Sequence, residues 1–303
     1  MSEPDLSAFR QEIDAIDAEM HALIVRRAGL SEKVREIKTG DELKLRPGRE
    51  ANILRALVAR HTGAFPKIQL VSIWREILSA SLSMQGPFSV AVFATETAHS
   101  FWDLARDHFG GGVQTWKFGT TRRVVETVVS GQCSIGVLPE PDQQDTDPWW
   151  QYLVVHPNAA NKGRPVRVIA KLPFARVTAQ YGGPEAFIVA RAEPEASGND
   201  RSLLTIDLGT DFSTDALLKA VADVGFSDAT LLSKWNNVSE RRRWIHLVEV
   251  AGFLSTDDGR LAQAADILGK SLNEIIVVGG FAEPLAVEEA PQAAAPTTRT
   301  RTR

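Results

Sequence analysis

The chain has 303 residues, and its 34 basic against 38 acidic side chains leave a formal net charge of -4. That balance gives no long-range pull toward nucleic acid or an anionic membrane. A single cysteine excludes an intramolecular disulfide framework and suits a reducing compartment. At about 150 residues per domain the length calls for two or three domains, and a 44% apolar content is enough for buried cores. Glu3, Asp5, Arg10, Glu12, Asp14 and Asp17 break up any signal-peptide hydrophobic region, and no stretch has the roughly 18 apolar residues of a bilayer span. A cytoplasmic protein that contacts neither membrane nor nucleic acid is expected.

Residues 6 to 85 read as three helices. The first runs from Leu6 to Lys38 and stops at Thr39-Gly40-Asp41. Pro47 suits the first turn of a second helix, Pro47 to His61, because proline lacks only an N–H that is unpaired there anyway. Thr62-Gly63-Ala64-Phe65-Pro66 breaks the chain again, and the third helix spans Lys67 to Met84. The first helix carries a seam at alternating three- and four-residue steps: Ile13, Ile16, Met20, Leu23, Arg27, Leu30, Val34 and Ile37. One guanidinium among seven apolar residues needs an anion, because a buried unpaired charge is costly. Taken alone, Arg27 reads better as a side chain that snorkels or pairs with a neighbouring carboxylate.

Other polar groups point the same way. Lys38 lies 11 residues on, within about 20° of the same helix face. On the third helix Trp74, Leu78, Ser81 and Gln85 form one stripe that turns from apolar to polar, and Arg46, Arg49 and Glu50 open the second helix. Polar groups from three helices aimed into a bundle core make a ligand site, and their positive excess selects an anion. Arg10 is offset by 17 residues from Arg27, about 100° around the helix and some five turns away. A dimer in which each subunit lends Arg10 to the other site resolves that geometry.

Arg10-Gln-Glu-Ile-Asp-Ala-Ile-Asp17, Arg27, Lys38 and Arg46-Pro-Gly-Arg-Glu-Ala51 resemble the helical AroQ-class chorismate mutases over that family's whole length. The resemblance implies an intertwined homodimer that binds chorismate. In it Arg10 of the other chain, Arg27 and Arg49 hold the substrate carboxylates. Lys38 and Gln85 reach the ether oxygen, Glu50 meets the ring hydroxyl, and Ser81 lies at or near a carboxylate. Arg46 stands where some members have an acidic residue. The rearrangement to prephenate is pericyclic and needs no nucleophile, metal or cofactor; holding the reactive conformer and donating hydrogen bonds to the breaking C–O bond suffice.

Beyond Gly86-Pro87 short strands alternate with helices, the pattern of an α/β lobe. Val124-Val-Glu-Thr-Val-Val-Ser-Gly131 followed by Ile135-Gly-Val-Leu-Pro139 resembles the first lobe of prephenate dehydratase. The family's Thr-Arg-Phe motif is Glu185-Ala186-Phe187 here, and Pro139-Glu-Pro-Asp-Gln replaces its Pro-Ile-Glu-Asn-Ser, so a catalytically silent region is expected. After Ser197-Gly198-Asn199 the order strand, helix, strand, strand, helix, strand reads as a ferredoxin-like sandwich. It resembles an ACT domain at Asp215-Ala216-Leu217-Leu218 and Leu232-Ser233-Lys234-Trp235. That resemblance leaves two readings open: an aromatic amino-acid effector site around Ala216, Leu217 and Ser233, or a structural dimer contact.

The expected organisation is therefore a mutase domain over 1–86, a reduced dehydratase-like α/β domain over 87–199, an ACT-like domain over 200–285 and a disordered tail over 286–303. Cys133, in an apolar run, reads as a buried inert thiol, Gly110-Gly-Gly112 as a turn, and Arg241-Arg-Arg243 as a solvated loop. The six histidines show no metal-ligand spacing. The expected function is chorismate mutase without dehydratase activity. The rivals are a bifunctional mutase–dehydratase, an isochorismate pyruvate-lyase on the same scaffold, and a non-catalytic amino-acid sensor.

Overall fold

The computed structural model describes residues 6–37, 43–145, 147–155, 164–177, 182–237 and 243–287. Three helices come first: α1 (Leu6–Ile37), α2 (Pro47–Arg60) and α3 (Lys67–Met84). Helix α1 buries no residue, and its seam of Ile13, Ile16, Met20, Leu23, Leu30, Val34 and Ile37 faces solvent. Helices α2 and α3 behave differently. Ala51 and Leu54 of α2 and Val71 and Leu78 of α3 pack with Phe174 and Ala282, two residues distant in the chain. These two helices thus lean on the C-terminal part of the molecule.

Next comes a parallel βαβαβ unit made of β1 (Ser89–Phe93), α4 (Ser100–Phe109), β2 (Gln114–Phe118), α5 (Thr121–Val129) and β3 (Ile135–Pro139). Thr120 caps α5 by accepting from the Arg123 N–H, satisfying a donor that the first turn leaves unpaired. A short helix α6 (Gln151–Val155) leads to β4 (Arg167–Leu172), β5 (Ala175–Val177) and β6 (Ala186–Ala190). The last unit is β7 (Asp200–Leu208), α7 (Thr214–Asp223), β8 (Thr230–Asn237), β9 (Arg243–Ala251), α8 (Gly259–Leu268) and β10 (Leu272–Ala282), then β11 (Leu285–Val287). Its antiparallel strand order β10-β7-β9-β8 is the ferredoxin-like arrangement expected from the sequence.

The helix α6 and the strands β5 and β11 were not expected. They are short, and β5 and β11 pair only with each other, as a two-stranded parallel sheet. Ala286 and Val287, assigned to the disordered tail, are paired in β11, with Val287 buried, because β5 offers them a partner; residues 288–303 lie outside the described residues. Among the described residues no helix is long and apolar enough to cross a membrane.

One nine-stranded sheet, β2-β1-β3-β6-β4-β10-β7-β9-β8, runs through both α/β parts. Alternation along the strands explains why. On one face of the ferredoxin-like part Leu204, Ile206 and Val248 pack under Leu217 and Val221 of α7 and Ala264 and Leu268 of α8. On the other, Leu203, Ile245, Leu247 and Val278 meet Trp149, Trp150 and Phe187. Trp149 also donates from its ring nitrogen to the Pro139 carbonyl at 2.9 Å. The second face of the C-terminal sheet is therefore covered by the segment just after β3. Cys133 is buried in this same core, as expected.

The two parts join where Gly279 of β10 pairs with Val168 of β4, and both strands have a register irregularity there. A β-carbon at Gly279 would overlap the Val168 backbone, so only glycine permits this approach. Gly279→Ala should lower the unfolding free energy by about 1–3 kcal/mol, the usual cost of overpacking, with a lower melting temperature. Unchanged melting would show that the joint yields without cost.

Candidate active site

The expected site residues divide into those that the chain brings together and those that it does not. Arg27, half-buried, is docked against α3: its Nη1 donates to the Ser81 hydroxyl and to the Ile77 carbonyl at 3.3 Å. Ser81 is buried and donates in turn to the Ile77 carbonyl at 2.8 Å. Burial lowers the Arg27 pKa, Arg49 nearby lowers it further, and Glu50 opposes both. Gln85 caps the end of α3, and its Nε2 donates to the Ser81 carbonyl at 3.1 Å. Arg27 thus meets Ser81, Arg49 and Glu50 are near enough to act on its charge, and Gln85 stands one turn beyond Ser81 on α3.

Glu50 is deeper than expected. Its Oε2 accepts from Nη1 of Arg75 at 2.8 Å, and the two side chains are only 14% and 8% exposed. Burial raises the Glu50 pKa, while the charge and hydrogen bond of Arg75 pull it back down. Arg75 was not among the expected site residues, yet a signal for it was present. Val71, Arg75, Leu78 and Leu82 follow steps of four, three and four, and all are buried. It is the same signature, a lone cation in an apolar stripe, that singled out Arg27.

Arg10 is exposed on α1, about 25 Å along the helix from Arg27, and this chain alone does not bring them together. Lys38 lies outside the described residues. Arg46 is ion-paired with Glu195, so its charge is occupied within the chain. Arg49 is exposed beside them.

In the C-terminal unit Leu217 is fully buried in the core, and Ser233, also fully buried, donates to the Asp142 carbonyl at 3.1 Å. Ala216 offers its N–H to the capping hydroxyl of Ser213 at 3.2 Å. At the dehydratase-like motif position, Glu185 binds Lys171 at 2.6 Å and also Arg176, and Lys171 reaches Glu140 at 2.8 Å. Among the described residues no group of three or more His, Cys, Asp or Glu could hold a metal ion.

Glu50→Ala leaves Arg75 buried without its counter-ion, a change that should cost about 3–5 kcal/mol of stability. The double variant Glu50→Ala/Arg75→Leu should recover much of that loss. Denaturant titration checks this; equal losses in both variants would mean that the uncompensated charge is not the cause.

Comparison with known proteins bears on the helical part most directly. Residues 9–86 match the family model for chorismate mutase type II. The chain is 32% identical over 146 residues to a bifunctional chorismate mutase/prephenate dehydratase of Stutzerimonas stutzeri, covering 46% of this chain and 40% of that protein. It is 32% identical over 140 residues to the same bifunctional enzyme of Aquifex aeolicus, covering 45% and 38%. The chain spans about two fifths of the length of these curated relatives. Prephenate dehydratase of Streptococcus mutans aligns with 65% of this chain and 99% of its own, at 12% identity and a TM-score of 0.44, a likeness too loose to bear on function. Residues 9–86 form a chorismate mutase type II domain.

Proposed function

We propose that the chain is a cytoplasmic chorismate mutase that rearranges chorismate to prephenate and lacks dehydratase activity. The observation that carries the reading is Arg27, the one cation in the α1 seam, aimed at Ser81 on α3 with Glu50 and Arg49 close by. An apolar seam that breaks for a guanidinium suits a carboxylate-bearing substrate. Glu50 has a second carboxylate oxygen for the ring hydroxyl. Gln85 has a second N–H besides the one held by Ser81. That donor, with Lys38, would meet the negative charge growing on the ether oxygen. Chemistry of this kind asks for orientation and donors, not for a nucleophile.

The working form in this reading is a homodimer. A 32-residue helix with an exposed apolar seam needs a partner surface, and a second copy supplies both that surface and Arg10. Absence of dehydration is supported by Glu185, whose carboxylate is committed to Lys171 and Arg176 at the motif position. For the ACT-like unit we favour a structural role over an aromatic amino-acid effector site. Leu217 and Ser233 turn their side chains into the fold, leaving an effector only backbone to contact at those positions.

Arg27→Ala should slow chorismate consumption at least about 100-fold, the cost of losing one charged donor at a transition state, while leaving the helical circular dichroism intact. Mixing Arg10→Ala chains with Arg27→Ala chains should then recover roughly a quarter of wild-type activity, because half the dimers would be mixed and each would hold one intact site. No recovery despite demonstrated subunit exchange would contradict the shared site.

A further inference from the structure

We propose that Arg75 is a positioning residue for the mutase site: seated on the Phe174 ring of the α/β part, it fixes one oxygen of Glu50 and leaves the other for the substrate. The inference rests on the mutase reading above and assigns part of the site to residues outside the helical domain. Arg75 Nη1 lies 2.8 Å from Glu50 Oε2, and its Cζ stands 5.3 Å from the centroid of the Phe174 ring. A cation over a buried aromatic face gains electrostatic attraction without needing a second carboxylate. Such a contact leaves the charge of Arg75 for Glu50.

Phe174 is itself held from two directions. Its carbonyl accepts from the Leu285 N–H at 2.5 Å, where β11 begins. Arg55 of α2 covers the same ring at 5.7 Å and donates to the carbonyls of Asn199 at 2.8 Å and Glu283 at 2.9 Å. The C-terminal strand, the ring and Arg75 form a continuous stack that ends on Glu50.

Three of the other charges around Glu50, those of Arg27, Arg46 and Lys171, are engaged elsewhere. Arg27 of α1 is bonded to α3, and Arg46 is paired with Glu195. Across a cavity of about 20 Å³ stand His108 of α4 and Lys171 of β4, and Lys171 is bound to Glu140 and Glu185. Arg49, the residue before Glu50 on α2, is exposed. Burial and Glu195 favour the neutral carboxyl of Glu50, whereas Arg75 chiefly, and Arg27 weakly, favour the carboxylate that can accept from a hydroxyl. Without Arg75 the balance tips toward protonation, so the acid limb of activity should move to higher pH.

The test uses the full chain with wild type, Arg75→Met, Arg75→Lys and Phe174→Leu. Two quantities are read: the pH midpoint of the Glu50 carboxyl by carbon-13 NMR, assigned through Glu50→Gln, and kcat and KM for chorismate against pH. Arg75→Met should raise the Glu50 midpoint by about one unit or more and carry the acid limb of kcat/KM with it. Arg75→Lys should restore part of the shift, and Phe174→Leu should reproduce part of it if Arg75→Met does not fold. An active wild type whose Glu50 midpoint and pH profile are unmoved in the folded variants overturns this inference and spares the mutase reading. A wild type that does not turn over chorismate overturns both.

Discussion

A guanidinium buried between two layers must find its counter-charge inside the protein, and much of this architecture depends on how Arg75 does so. Helices α2 and α3 lie against the sheet through Ala51, Leu54, Val71, Leu78, Phe174 and Ala282, an apolar contact with no directional preference of its own. Arg75 and Glu50 sit within that contact and give it a register. Their pairing requires α2 and α3 to stand where 2.8 Å separates the two groups, and the ring of Phe174 fixes the side on which the sheet meets them. A buried pair of this kind adds little net stability against an apolar substitute. Its consequence is positional: a carboxylate is held within electrostatic reach of Arg27, which itself meets Ser81.

Helix α1 obeys the opposite constraint. Among the described residues it bonds to α3 through Arg27 and leaves the apolar members of its seam bare. Two helices of the domain are thus anchored by the α/β part, while the apolar seam of the third is exposed among the described residues. A second copy with the same seam is self-complementary by symmetry. It would also bring Arg10 to a face that already carries Arg27. In the proposed homodimer, association and completion of the site would be one event.

Much of the fold was legible because its signals are local. Pro47, Gly63 and Pro66 punctuate the helices, and α3 begins and ends at Lys67 and Met84 as expected. Strand–helix alternation marked the α/β unit, and the order of elements marked the ferredoxin-like arrangement. The continuous sheet was not legible, because it depends on a single close approach between Gly279 and Val168, 111 positions apart in the chain. Elements as short as β5 and β11 carry no periodicity to read. Of the site, Arg27 and Ser81 were legible as departures from apolar stripes and do meet. Arg75 satisfied the same rule on a neighbouring stripe of α3, about 100° per residue around the helix, but the stripe bearing Ser81 and Gln85 carried the stronger polar signal. That Glu50 spends one oxygen on Arg75 could not be read from either position alone.

Product identity tests the chemistry of the helical face directly. Purified full-length chain incubated with chorismate and monitored by proton NMR should convert it to prephenate faster than the uncatalysed reaction, with no pyruvate and no phenylpyruvate accumulating beyond the protein-free control. Release of pyruvate, or chorismate left at its uncatalysed rate of decay, would contradict it.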